Sequence, residues 1–148
     1  MELILWRHAE AEDGVPDHAR ALTHKGGRQA AKIAAFLHQH LPEDTRVLVS
    51  PATRTLQTVA ALTDRFTVAP AIAPGASAIA LLHAARWPDA GGSVLVVGHQ
   101  PTLGEVAARL LGCEGLSFSI RKGALWWFSK RDGSSAAALR LVIAPDFL

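Results

Sequence analysis

The chain opens with an uninterrupted apolar run, Leu3-Ile4-Leu5-Trp6, that stops at Arg7 and His8. Four apolar residues in a row leave no solvated face, and the run predicts a strand buried on both sides. Such a strand meets solvent only at its ends, and in open α/β sheets ligands bind outside the carboxyl ends of the strands. Arg7 and His8 are therefore placed where chemistry can occur, provided the rest of the chain supplies helices to cover both faces.

It does so in alternation. Residues 11–24 contain Asp13, Gly14, Pro16, Asp17 and His18, a loop composition. A helix starts within Thr23–Gly27, and Ala30, Ile33, Ala34, Leu37 and Leu41 recur at helical spacing until Pro42. Arg46–Ser50 reads as a strand and Thr53–Thr63 as the helix after it. Phe66–Ala69 reads as a third strand and Ala76–Arg86 as an Ala-rich helix. Ser93–Gly98 carries the strongest strand signal, followed by a helix over Pro101–Leu111 that stops at Gly112. Past residue 115 the pattern changes: Leu116–Ile120, Ala124–Ser129 and Ala136–Ile143 read as strands, the last two joined through the hairpin signal Asp132-Gly133. The expectation is one domain over residues 1–148, an α/β three-layer α/β/α sandwich around a central mixed, mostly parallel sheet.

Composition narrows the function classes. Fifteen Lys and Arg face thirteen acids for a net charge of +2, with no basic tract, so nucleic acid is not expected as a partner. No apolar run approaches the ~20 residues that span a bilayer, and no secretory signal is visible, so no membrane association and a cytoplasmic location are expected. Cys113 stands alone, which forbids an internal disulfide. His18, His24, His38, His40 and His83 form no metal-binding pattern, and a monomer is expected. Trp126 and Trp127 are read as core residues rather than as an interaction surface.

Three strand ends deliver polar residues of matching kind: Arg7-His8, Ser50 to Arg54, and Gly98-His99. In a parallel sheet these ends lie side by side. Two histidines and two arginines converging there suit a doubly charged phosphoryl group, because guanidinium forks match its oxygens bidentately. One histidine would attack phosphorus while the other bonds an equatorial oxygen, dividing hydrolysis into two in-line steps. That chemistry requires neither metal nor other cofactor.

Leu5-Trp6-Arg7-His8-Ala9-Glu10, Leu22-Thr23 to Gly26, Ser50-Pro51 to Arg54 with Gln57-Thr58, and Gly98-His99 together resemble the histidine phosphatase superfamily, whose fold is phosphoglycerate mutase-like. The length and Arg20-Ala21-Leu22-Thr23 resemble in particular its short bacterial branch, the SixA-like phosphohistidine phosphatases. The resemblance implies that His8 is the nucleophile, that Arg7 and Arg54 clamp the phosphoryl oxygens, that His99 is the second histidine, and that Arg20 is a fifth member. Ser50 and Thr58 are read as local hydrogen-bonding residues and Thr23 as a helix cap. The family usually has glycine where this chain has Ala9, which would be strained if the backbone there had positive φ.

The general acid is not legible. Alkoxide leaving groups need a proton donor, whereas the imidazole of a phosphohistidine can leave already protonated. Glu10 is the candidate acid, with Glu12 and Asp13 beside it; Asp64 and Asp89 sit in surface turns. Three readings follow: a phosphatase acting through phospho-His8 on phosphohistidine of a signalling protein, the same machinery acting on a small phosphomonoester or phosphoanhydride, or a phosphate- or phosphoprotein-binding module that has lost turnover. The expected partner is accordingly a phosphohistidine-bearing protein domain or a small phosphorylated substrate.

Overall fold

A computed structural model describes residues 1–148. The opening apolar run forms β1 (Glu2–Arg7), followed by α1 (His24–His40), β2 (Arg46–Val49), α2 (Thr53–Ala60), β3 (Thr67–Val68), α3 (Ala78–Ala84), β4 (Ser93–Gly98), α4 (Thr102–Leu110), β5 (Leu125–Ser129) and β6 (Ala138–Ile143). The sheet order is β3-β2-β4-β1-β5-β6. β1, β2, β3 and β4 run parallel, and the β5-β6 hairpin adds to the free side of β1, with β5 antiparallel to β1. This is the expected α/β/α sandwich with a mixed, mostly parallel sheet.

Leu3, Ile4, Leu5 and Trp6 are all 0% exposed. Their side chains alternate across the sheet. Ile4 and Trp6 pack with Ala30, Ile33 and Leu37 of α1 and Val59 of α2, while Leu3 and Leu5 pack with Leu81 of α3 and Leu103 and Val106 of α4. Full burial of a side chain of this kind is worth ~1.5–3 kcal/mol, so both faces of β1 anchor the fold. Trp127 is buried, with Nε1 donating to Glu2 Oε2 and the Arg140 guanidinium over its ring; Trp126 stacks between Phe118 and Phe128. No helix is long and apolar enough to cross a membrane.

The strand expected at Leu116–Ile120 does not form. Both edges of β1 are already taken by β4 and β5. The segment instead crosses the start of α4, where Phe118 N donates to Gly104 O at 3.1 Å and Gln100 Nε2 donates to Phe118 O at 2.8 Å. Only the later part of the apolar face packs, with Phe118 half-buried and Ile120 0% exposed, while Leu116 on the same face is 63% exposed. A Cβ at Gly104 would lie 1.9 Å from Phe118 O, so the crossing needs glycine. The third strand shrinks to Thr67–Val68, exposed at the sheet edge.

The loop that follows β1 is tied to α1. Thr23 caps the helix, its Oγ1 accepting from Gly26 N at 2.9 Å, and Thr23 N donates to Glu10 O at 3.0 Å. At Gly26 a Cβ would sit 2.0 Å from that same carbonyl, whereas at Gly27 it would meet nothing within 4 Å. Gly26→Ala is expected to destabilise the protein by ~3 kcal/mol or more through overpacking against fixed backbone. Gly27→Ala, in open helix surface, is expected to stabilise it by ~0.5–1 kcal/mol. Urea unfolding of both variants checks the pair; equal effects would contradict the packing account.

Candidate active site

β1 and β4 pair in register, Arg7 opposite Gly98, so the next residue on each strand is a histidine. His8 N continues the ladder by donating to Gly98 O at 3.1 Å, and the two ring centroids lie 5.3 Å apart with planes inclined at 52°. Both imidazoles are buried, 6% and 4% exposed. β2 lies on the other side of β4 and ends at Ser50, and Arg54 follows in the first turn of α2, also buried. The structure thus brings Arg7, His8, Arg54 and His99 together at the carboxyl ends of three neighbouring strands.

His8 Nδ1 lies 2.7 Å from Ala9 O. A carbonyl oxygen only accepts, so Nδ1 carries the proton and the lone pair is left on Nε2. Burial, reinforced by the charges of Arg7, Arg54 and Arg20, lowers the His8 pKa to about 4 against the pull of the Ala9 bond. The ring is neutral at physiological pH. Ala9 is accommodated without strain: Arg86 is the one non-glycine residue with positive φ, the Ala9 methyl joins the core, and its N–H donates to Thr58 Oγ1 at 3.0 Å.

His99 Nε2 bonds Ser50 Oγ at 2.7 Å, and Ser50 Oγ also accepts weakly from Ala52 N at 3.4 Å. When the Ser50 hydroxyl donates to His99 Nε2, the ring proton lies on Nδ1. Burial first, then Arg54 and His8, lower the His99 pKa to about 3. His99 Nδ1, Arg7 Nε and Arg54 Nε are buried without partners. An unsatisfied buried polar group costs ~1–3 kcal/mol, and an acceptor-rich anion held among these three would recover it. Arg7 Nη1 is fixed by Ile120 O at 2.8 Å, from the segment that was expected to be a strand. Burial and then Arg54 depress the Arg7 pKa, the cost of gathering like charges in a dry place.

Asp17 is the residue that sequence reasoning missed. Its carboxylate bridges two arginines, Oδ1 accepting from Arg20 Nη1 at 3.1 Å and Oδ2 from Arg54 Nη2 at 3.2 Å, while Asp17 O accepts from Arg54 Nη1 at 3.0 Å. The bond from Arg20, then Arg54, holds its pKa below the ordinary carboxylate value. Arg20 thereby joins the site at one remove, with its Nε on Glu12 O. The available signal was the i, i+3 spacing of Asp17 and Arg20 in a loop otherwise without pattern. Ser50 and Thr58 do more than the local bonding expected of them: Ser50 orients His99, and Thr58 bonds Arg54 O within its helix and Ala9 N across the fold. Glu10 stands apart from both histidines' hydrogen bonds, its Oε2 3.8 Å from Lys25 Nζ. Asp64 and Asp89 are exposed beyond the end of α2 and ahead of β4, at the opposite end of the sheet.

Residues 3–76 match the model of the histidine phosphatase superfamily (branch 1). The chain is 34% identical over 128 residues to a phosphohistidine phosphatase SixA homolog of Haemophilus influenzae, covering 76% of this chain and 78% of that one. An uncharacterised protein of Mycobacterium tuberculosis is 32% identical over 118 residues, 77% of this chain and 75% of its own. Among solved structures, the protein histidine phosphatase SixA complexed with tungstate superposes with a TM-score of 0.80 at 26% identity over 99% of both chains. With the family's model spanning its first half and relatives of more than 30% identity spanning three quarters of it, the chain belongs to the histidine phosphatase superfamily.

Proposed function

We propose that this phosphatase removes the phosphoryl group from phosphohistidine of a protein, through a phosphohistidine intermediate on its own His8. The carrying observation is the pairing of a free His8 Nε2 with the lack of any carboxylate hydrogen-bonded to either histidine, whose ring nitrogens bond Ala9 O and Ser50 Oγ instead. Asp17, the carboxylate bonded to the site's arginines, is held ionised by Arg20 and Arg54 and has no proton to give. Glu10 lies 3.8 Å from Lys25 and bonds neither histidine, and Glu12 and Asp13 are exposed on the loop after β1. This disposition suits a leaving group that needs no acid, and an imidazole leaving as the protonated ring is one.

In the first step His8 Nε2 attacks phosphorus, the new N–P bond forms and the substrate's N–P bond breaks, its electron pair departing with the imidazole. Arg7, Arg54 and His99 Nδ1 supply the donors for the equatorial oxygens, and their fixed positions favour the transition state, in which charge spreads over those oxygens. Water then attacks phospho-His8, releasing phosphate and restoring the lone pair. That a SixA structure is complexed with tungstate, itself an oxyanion, supports this reading. The absence of strain at Ala9 removes the one sequence hint of a module without turnover.

His8→Ala is expected to lower turnover at least ~10³-fold and to abolish acid-labile phosphoryl labelling of the protein while leaving its circular dichroism intact. Undiminished turnover in that variant would overturn the role of His8, and faster turnover of sugar phosphates than of a phosphohistidine protein would overturn the substrate class.

Protonation of His8 removes the Nε2 lone pair, so once the titration of the phosphohistidine substrate itself is accounted for, the acid limb of kcat/KM that His8 sets should fall near pH 4 rather than at 6.5, where an ordinary histidine titrates. Stability moves with the same groups. Both folded pKa values lie below the unfolded 6.5, the unfolded chain binds the extra protons, and the protein should lose stability from pH 6.5 downward, toward about 4 for His8 and about 3 for His99. A melting-temperature series checks this; a midpoint unchanged from pH 7 to 4.5 would contradict neutral buried histidines.

A further inference from the structure

A hollow of about 670 Å³ lies on the same rim of the sheet as the two histidines, with Arg7 in its lining and neither His8 nor His99. Arg7, Lys25, Arg28, Lys32, Arg121 and Lys122 line it. Two acids, Glu10 and Asp146, share that lining, and Ala144 and Pro145 are its only apolar contributions. Six of the chain's fifteen cations are thus gathered against two of its thirteen acids, leaving the remainder of the molecule with more acids than cations. Outside the hollow Arg20, Arg54, Arg109 and Arg140 are paired with carboxylates, and Arg46, Arg65, Arg86, Lys130 and Arg131 are unpaired and scattered rather than gathered. Here Lys25 reaches Glu10, while Arg28, Lys32, Arg121 and Lys122 have no acidic partner within 4.0 Å.

We propose that this hollow is a docking surface for an acidic segment of the phosphorylated protein, adjoining the catalytic pocket through Arg7. The proposal rests on the protein-substrate reading given above. A pocket of this size built for a small molecule is ordinarily apolar with a few convergent polar groups. This one offers long, exposed side chains: Lys25, Arg28 and Lys32 follow one another at i, i+3 and i+7 along α1, about 10 Å of helix, and Arg121 and Lys122 face them from the loop before β5. A row of carboxylates on a neighbouring protein segment matches that spacing. With Arg7 in this lining and in the catalytic cluster, a segment seated here holds its phosphoryl group next to His8.

The test uses the full chain and synthetic peptides of one length that carry a single phosphohistidine with acidic, neutral or basic flanks. At low salt kcat/KM should be about tenfold higher for the acidic flank than for the neutral one, the size of a few surface ion pairs acting together. The advantage should shrink in about 0.5 M salt, where the Debye length falls to a few ångströms. The Arg28→Glu, Lys32→Glu, Lys122→Glu triple variant, its folding checked by melting, should lose the preference for acid and favour the basic flank. Equal rates on all three flanks would overturn the docking surface while leaving the phosphohistidine reading intact. Failure to act on any of these peptides, with a small phosphomonoester hydrolysed, would defeat that reading and this one with it.

Discussion

The parallel pairing of β1 with β4 is the constraint on which the rest of the molecule depends. Because Arg7 lies opposite Gly98, His8 and His99 leave adjacent strands at the same level, and no loop conformation is needed to bring them together. A slip of one residue would turn Leu3 and Leu5 toward α1 and Ile4 and Trp6 toward α4, exchanging two packed faces at once. The core therefore fixes the distance between the imidazoles, and the chemistry inherits the precision of the packing.

Placing histidines among arginines in a dry pocket has an electrostatic consequence that defines what they do. Burial and the nearby guanidinium charges keep both rings neutral, so His8 presents a lone pair rather than another positive charge. The positive field is left to groups that cannot lose a proton at neutral pH. Asp17 offsets part of that field from the solvent side, and by holding both Arg54 nitrogens it sets the fork whose remaining Nε lies buried without a partner. The carboxylate thereby orients a cation for an anion without competing as an acid.

What could be read from the sequence was whatever repeats at short range. The apolar run of β1, the β-branched run of β4 and the period of α1 each carry their own signal, and the order of strands and helices followed from them. So did the placing of Arg7, His8, Arg54 and His99, because strand ends in a parallel sheet share a rim. Leu116–Ile120 misled because its alternation suits a strand, whereas in the fold Phe118 and Ile120 pack inward with Phe118 bonded to Gly104 and Gln100 at the start of α4, and Leu116 stays exposed. Asp17 was illegible because its partners are Arg20, three residues on, and Arg54, thirty-seven residues on, and only the folded loop brings the second within reach. The basic hollow was illegible for the same reason: a net charge of +2 without a basic tract conceals six cations drawn from positions 7, 25 to 32, and 121 to 122.

The buried cluster around His8 and the exposed basic hollow differ in the physics they can use, and the proposed reading gives them separate tasks. The inner one is buried, its donors are fixed by backbone carbonyls and by Asp17, and salt screens it weakly, so it suits a step whose rate depends on ångström-scale placement. The outer one is lined by exposed lysines and arginines whose individual contacts are worth little and are screened by salt, so it suits selection among partners and speed of encounter more than tight holding. Arg7 is common to both. Half-buried, with one nitrogen held by Ile120 O, it lines the hollow and lowers the His8 pKa, so under the proposed reading it is the side chain through which recognition at the rim and chemistry at His8 would be joined.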